Sequence, residues 1–401
     1  MPDALREVPP TAGLPLRWRD FLPAPGRSLE AGMAALLRLP AVQIECSGTA
    51  ALIVALTTLK QASARRAVII PAYTCPLVVL AIGHCGLKPV LCDLRCDHFD
   101  LDLQALQGLC NDDILAVIPT HLGGRVADVV NVKNIAQRVG AAVIEDAAQA
   151  LGATWQEQPA GTLGDIGFYS LAVGKGLTLY EGGVLVSRDA DLRERMRATS
   201  EQLAPRRLDW ELRRLLELAG YTVLYRPSAL RLAYGMRLRQ ALKHGRLIEA
   251  VGDDFTDAIP LHRVGGWRRV VGARALARLP SFLATLAGQA AARKTRLAAI
   301  PGVRVMDDPH GAHGIWPYFM VLMPSARARD AALARLWSAG LGVSRLFIHA
   351  LPDYPYLAGR FDRAEVPHAR DFAARMLTIS NSPWMREADF LRIRDVLAEH
   401  A

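Results

Sequence analysis

From residue 40 to 190 the chain alternates short apolar, often β-branched runs with longer segments of helical periodicity. Ser47–Lys60 reads as a helix opened by small polar residues, and Ala67–Ile70 as a strand. Pro76–Cys85 is a helix, Lys88–Asp93 a strand, Leu101–Leu109 a helix and Ile114–Pro119 a strand. Val129–Val139 and Ala141–Glu145 repeat the pair, and Ile166–Ser170 and Gly183–Ser187 close the series with two more strands. Near-continuous apolar strands separated by helices predict a mainly parallel sheet covered on both faces. The apolar run Ala67–Gly83 has the length of a short membrane span, about 17 residues. Pro71 and Pro76 interrupt it, so it reads as strand, turn and helix.

The alternation stops near residue 196. Residues 200–250 are rich in Arg and Leu and read as amphipathic helices, and Arg274 to Ile300 reads as one long helix. From Gly302 the pattern is that of a smaller α+β unit: strands at Val303–Met306 and Tyr318–Met323, a helix at Arg327–Ala339 and a last helix from Glu387. A chain of 401 residues exceeds what one core usually holds. The expected division is a large domain, 1–265, and a linking helix with a small C-terminal domain, 266–401.

The net charge of +9 changes the picture only once it is located. Between Arg206 and Arg246 stand ten Lys/Arg against three Asp/Glu, so the rest of the chain is close to neutral. No nucleic-acid motif accompanies the charge, and no nucleic-acid partner is expected. Arg alternates with Leu, Trp and Tyr at helical spacing over 206–246, which leaves three readings: solvated helices packed on the large domain, a dimer arm or lid, or a peripheral membrane contact. The N-terminus lacks the basic and apolar regions of a signal peptide, so a cytoplasmic protein is expected. Cys85, Cys92, Cys96 and His98 lack the tight spacing of a zinc site; no metal is expected.

Four segments carry candidate chemistry, each at a strand end or helix start, where open α/β sheets place their ligands. Cys46-Ser47-Gly48-Thr49-Ala50 enters a helix whose N-terminus suits an anion such as phosphate. Glu145-Asp146-Ala147-Ala148-Gln149 puts a carboxylate at a buried strand end, which is costly without a positive partner, and a protonated pyridine nitrogen is one. Ser170 to Lys175 places a lysine in small, apolar surroundings, where desolvation lowers its pKa and makes it nucleophilic. Glu181-Gly182-Gly183 is a tight turn into the last strand. Each alone has a plain alternative: a helix cap, a second cap, a surface lysine, a turn.

Together these segments resemble the DegT/DnrJ/EryC1/StrS aminotransferases, which mostly aminate keto-sugars carried on nucleotides. The likeness runs from about Ile44 to Arg197 through Ser47–Leu52, Pro71–Thr74, His121–Asp128, Glu145–Ala153, Gly161–Ser170, Lys175 and the Glu-Gly-Gly turn. It implies a fold-type I transferase whose large domain holds a seven-stranded sheet, with pyridoxal 5'-phosphate as cofactor. It also implies a homodimer, an amino acid donor such as glutamate, and a keto-sugar acceptor in glycan biosynthesis.

Position by position, the resemblance makes Lys175 the catalytic lysine that holds the cofactor and moves the proton. Asp146 is implied to pair with the pyridine nitrogen, and Gln149 to contact the ring's phenolic oxygen. Gly48, Thr49, Ala50 and Ser170 are implied at the phosphate, and Cys75 at the ring face, where the family usually has an aromatic residue. His121 matches the family and is read as structural. Gly123 replaces another common aromatic. The family's phosphate-reaching Asn is missing from Arg263–Arg269, which suggests Arg268 or Arg269 as its substitute. These departures leave open a non-sugar or lipid-linked ketone at a membrane surface, other cofactor chemistry on the same fold, or a family member without turnover.

Overall fold

The computed structural model describes residues 6–23, 26–362 and 364–401. Seven strands build the main sheet: β1 (Gln43–Glu45), β2 (Ala67–Pro71), β3 (Lys88–Cys92), β4 (Ile114–Val117), β5 (Ala142–Asp146), β6 (Ile166–Ser170) and β7 (Gly183–Val186). Their order is β1-β7-β6-β5-β4-β2-β3. Pairings from β3 to β6 are parallel, and β7 lies antiparallel to both β6 and β1. The sheet is thus mainly parallel, as the apolar runs predict.

Side-chain alternation covers both of its faces. Ala67 and Ile69 of β2 pack with Val129, Val132 and Ile135 of the helix Val129–Arg138, while Val68 and Ile70 join Leu52, Leu56 and Val79 of the helices Gly48–Gln61 and Pro76–His84. The strand–turn–helix reading of 67–83 holds, with Pro76 at the helix start. No single helix among the described residues is long and apolar enough to cross a membrane.

The helix expected from Arg274 to Ile300 is two helices, Gly266–Leu276 and Leu279–Ala298, bent by 49°. Pro280 sits in the first turn of the second, where its missing N–H costs nothing; continued into the first helix it would clash. Beyond the bend, the C-terminal part of the chain builds a four-stranded antiparallel sheet (304–305, Tyr318–Leu322, Met376–Ser380, Val343–Ser344). Arg125 ties this part of the chain to the loop after β4. Its buried guanidinium pairs with Asp308 at 2.6 Å and lies 3.4 Å from the centre of the Trp316 ring.

Candidate active site

The chemistry-bearing segments converge at the C-terminal ends of β2, β4, β5 and β6 around a cavity of about 600 Å³. Its wall includes Gly48, Thr49, Cys75, Asp146, Gln149, Ser170 and Lys175. Ala50 is not on that wall, and its amide donates to Ser47 Oγ (2.9 Å) as the helix cap. The cap uses the N–H that the resemblance offers to a phosphate, so Ser47, Gly48 and Thr49 form the anion-facing turn instead.

Glycines set the closeness of this turn. A Cβ on Gly183 would run into the Ser47 carbonyl, and one on Gly48 would come within 3.2 Å of Ser170 Cβ. The Glu-Gly-Gly turn, the helix start and the end of β6 therefore pack as one unit.

Asp146 is buried and Lys175 partly buried, and desolvation displaces their pKa values in opposite directions. Desolvation pushes the Asp146 carboxyl up and the Lys175 amine down, and each group partly offsets the other's shift. Asp146 Oδ1 accepts one hydrogen bond, from Ala148 N–H at 3.0 Å, and among the described residues its carboxylate has no ion pair. A buried carboxylate that faces a cavity with no cation in ion-pair contact is the feature that a protonated ring nitrogen would satisfy. Cys75, also on the wall, has its thiol pushed up to about 12 by burial. It stays a neutral thiol and leaves Lys175 as the nucleophile.

Gln149 is held from two sides: Gly123 N–H donates to its Oε1 at 2.9 Å, and the Tyr318 hydroxyl donates to the same oxygen. With Oε1 occupied, its amide N–H₂ is the group left for a ring oxygen. Gly123 (φ 59°) has Met320 against it, so an aromatic side chain there would need both a strained backbone and a displaced Met320.

His121 is structural, as read from the sequence. Ala127 N–H donates to its Nδ1 (2.9 Å), which puts the proton on Nε2, bonded to Glu145 Oε2 (2.9 Å). Glu145 also accepts the amides of Gly161 (2.7 Å), Leu163 (2.5 Å) and Gly164. One buried carboxylate thus orders the two motif loops that flank Asp146.

Arg268 does not serve the cofactor phosphate. Its buried guanidinium bonds Glu211 and the carbonyl of Glu181 (2.5 Å), inside its own subunit. Arg269 pairs with Glu30 at 2.6 Å. Lys175 is the one basic residue among the described residues lining the cavity, against Asp146, Glu181 and Asp253.

Two parts of the site escape sequence reasoning. The N-terminal segment crosses behind the lysine loop, with Leu14 N–H donating to Gly176 O (3.1 Å) and Gly13 N–H donating to the Tyr225 hydroxyl (2.9 Å). The stretch after the basic helices supplies a cavity wall of Val251, Asp253, Phe255, Ile259 and Pro260. Asp253 pins that wall: its Oδ2 accepts from Tyr354 Oη (2.5 Å) and Ile348 N–H (3.1 Å). Burial raises its carboxyl from 3.8 to about 6. Folded protein therefore favours the protonated acid, and that contribution is present below the unfolded value and lost as pH rises through the folded one. Relative to Asp253→Asn, the wild type is expected to lose up to about 3 kcal/mol between those two pH values. Urea unfolding of both proteins at about pH 4 and about pH 7 checks this; a difference that does not change with pH would contradict it.

Comparison with known proteins agrees with this geometry. The model of the DegT/DnrJ/EryC1/StrS aminotransferase family matches residues 25–221 and 268–398, and the chain belongs to that family. It is a pyridoxal-phosphate-dependent aminotransferase of fold type I. The chain is 30% identical over 300 residues to GDP-perosamine synthase of Caulobacter vibrioides, covering 73% of this chain and 68% of that protein. It is 26% identical over 375 residues to the UDP-N-acetyl-3-dehydro-alpha-D-glucosamine 3-aminotransferase of Acidithiobacillus ferrooxidans, covering 93% and 87%. In fold it superposes on the PLP form of the sugar aminotransferase Spr1654 from Streptococcus pneumoniae with a TM-score of 0.72, at 18% identity and 98% coverage of both chains. Residues 222–267, including the Phe255 wall, lie between the two stretches that the family model matches.

Proposed function

We propose that this chain transfers an amino group from an amino acid, glutamate, to the ketone of a nucleotide-linked sugar in glycan biosynthesis. The observation that carries this reading is the pair Lys175 and Asp146, set on one cavity wall with oppositely displaced pKa values. The relatives' keto-sugar and perosamine chemistry gives the acceptor class.

Ser47, Gly48, Thr49 and Ser170 would hold the cofactor's phosphate, Asp146 its ring nitrogen, and Gln149 a ring oxygen. When bound, pyridoxal 5'-phosphate supplies the electron sink for carbanion chemistry at the donor's α-carbon and carries the amine between substrates. Lys175 would supply the amine that holds the cofactor and the base that moves the proton. Its lowered pKa keeps a larger share of the amine neutral, as both tasks require. Asp146 stays ionised only against a cation, so it holds positive charge where the electron sink needs it.

With Glu181 already paired to Arg214, Lys175 is the one basic residue on the wall among the described residues, and alone it is too little positive charge for a phosphate dianion. A homodimer whose partner subunit adds a cation or amide donor to the site fits that deficit, and a cytoplasmic location fits the acceptor. Adding glutamate to the holoenzyme is expected to bleach the visible band of the bound cofactor, and a keto-sugar nucleotide to restore it. A band unmoved by glutamate and by every other amino acid would sink the aminotransferase assignment for this chain. A band bleached by glutamate but restored only by non-sugar ketones would remove the acceptor alone.

A further inference from the structure

The basic region forms the helix Leu208–Leu224 and a second helical run from Pro227 to Lys243. The first helix is anchored by its inner face. Leu218 and Tyr221 are buried, Glu211 pairs with Arg268, and Arg214 pairs with Glu181 beside the cofactor cavity. Its outer face is apolar as well. Leu208, Leu212 and Leu216 repeat every four residues with 84%, 61% and 64% of their surface exposed, and Val223 falls on the same side of the helix. The second run exposes Leu232 and Met236, again four apart.

Eight of the thirteen exposed large apolar residues among those described lie between Leu208 and Leu247, about a tenth of the chain. So dense a stripe on a helix already fixed from behind marks a contact surface rather than scattered exposure.

Charge selects the partner. Arg206, Arg226, Arg237 and Lys243 are exposed and among the described residues form no ion pair, whereas Arg207, Arg213, Arg239 and Arg246 do. Free cations close in sequence to exposed Leu and Met complement an anionic, apolar surface. A twofold contact between two copies would instead bring two copies of this net-basic region together.

We propose that the outer face of Leu208–Leu224, with Leu232 and Met236, docks the enzyme on a membrane surface of anionic lipid. The surface lies across the helix from Arg214 and Glu181, so docking leaves those inner contacts to the cavity intact.

The test is co-flotation of the holoenzyme with vesicles of phosphatidylcholine containing about a quarter phosphatidylglycerol, beside vesicles of phosphatidylcholine alone. Expected is binding to the anionic vesicles only, released by salt because exposed charges are screened. The double variant Leu212→Glu/Leu216→Glu is expected to lower partitioning at least about tenfold while keeping the cofactor's absorption and its solution mass. A quadruple charge reversal at Arg206, Arg226, Arg237 and Lys243 should do the same without touching an apolar residue. Absence of binding at low salt, or equal binding to neutral vesicles, would overturn the proposal. So would a double variant that falls from dimer to monomer, since the stripe would then be an interface between copies.

Discussion

Lys175→Ala is expected to lower turnover by roughly a thousandfold or more, with the fold intact. The lysine loop does not depend on its side chain for shape. Gly174 takes a φ of 80°, Thr11 Oγ1 donates to the Gly174 carbonyl, and Leu14 N–H donates to the Gly176 carbonyl. The amine itself is held below its ordinary pKa by burial, so its charge is disfavoured in the folded state. Removing it should leave thermal stability unchanged or slightly raised. Steady-state kinetics beside a melting curve separates the two effects. A variant that keeps turnover within tenfold of wild type would show that the proton is moved by another group, and none on the wall has an amine.

Asp146→Asn should be the second most damaging change. Asparagine keeps an oxygen for the Ala148 N–H, so local geometry survives and only the charge is lost. Breaking one side of a buried charge pair costs roughly 3–5 kcal/mol. If that cost falls on the step that needs the electron sink, the rate drops on the order of 10²–10⁴-fold. Cofactor affinity should fall less, because the phosphate turn at Ser47–Thr49 and the lysine are untouched. Burial raises the Asp146 carboxyl, so without cofactor the variant should be at least as stable as wild type. Single-turnover reaction with glutamate gives the answer, and a near-normal rate would remove Asp146 from its role.

Much of this was legible because strands and helices of the large domain announce themselves over four to fourteen residues. The helix Gly48–Gln61 and strand Ile166–Ser170 fall within a residue of their sequence limits. β1 was not legible: three residues are too few to show alternation, and it is fixed only by pairing with β7. The motifs located Lys175, Asp146, Gln149 and Ser170 because each sits at a strand end or in the loop just beyond it. What sequence could not supply were contacts between distant segments. Tyr318 meets Gln149 across 169 residues, and Asp253 meets Tyr354 across 101. Arg268 was misplaced for the same reason. Its neighbours in sequence suggested a phosphate ligand, but Glu211, 57 residues earlier, claims the guanidinium.

Borohydride reduction of the holoenzyme followed by peptide mapping tests the central claim most directly. Reduction fixes the cofactor to whichever amine holds it. The expected result is a single pyridoxyl group on Lys175, absent from Lys175→Ala. A pyridoxyl group on another lysine, or none on any, would contradict the account.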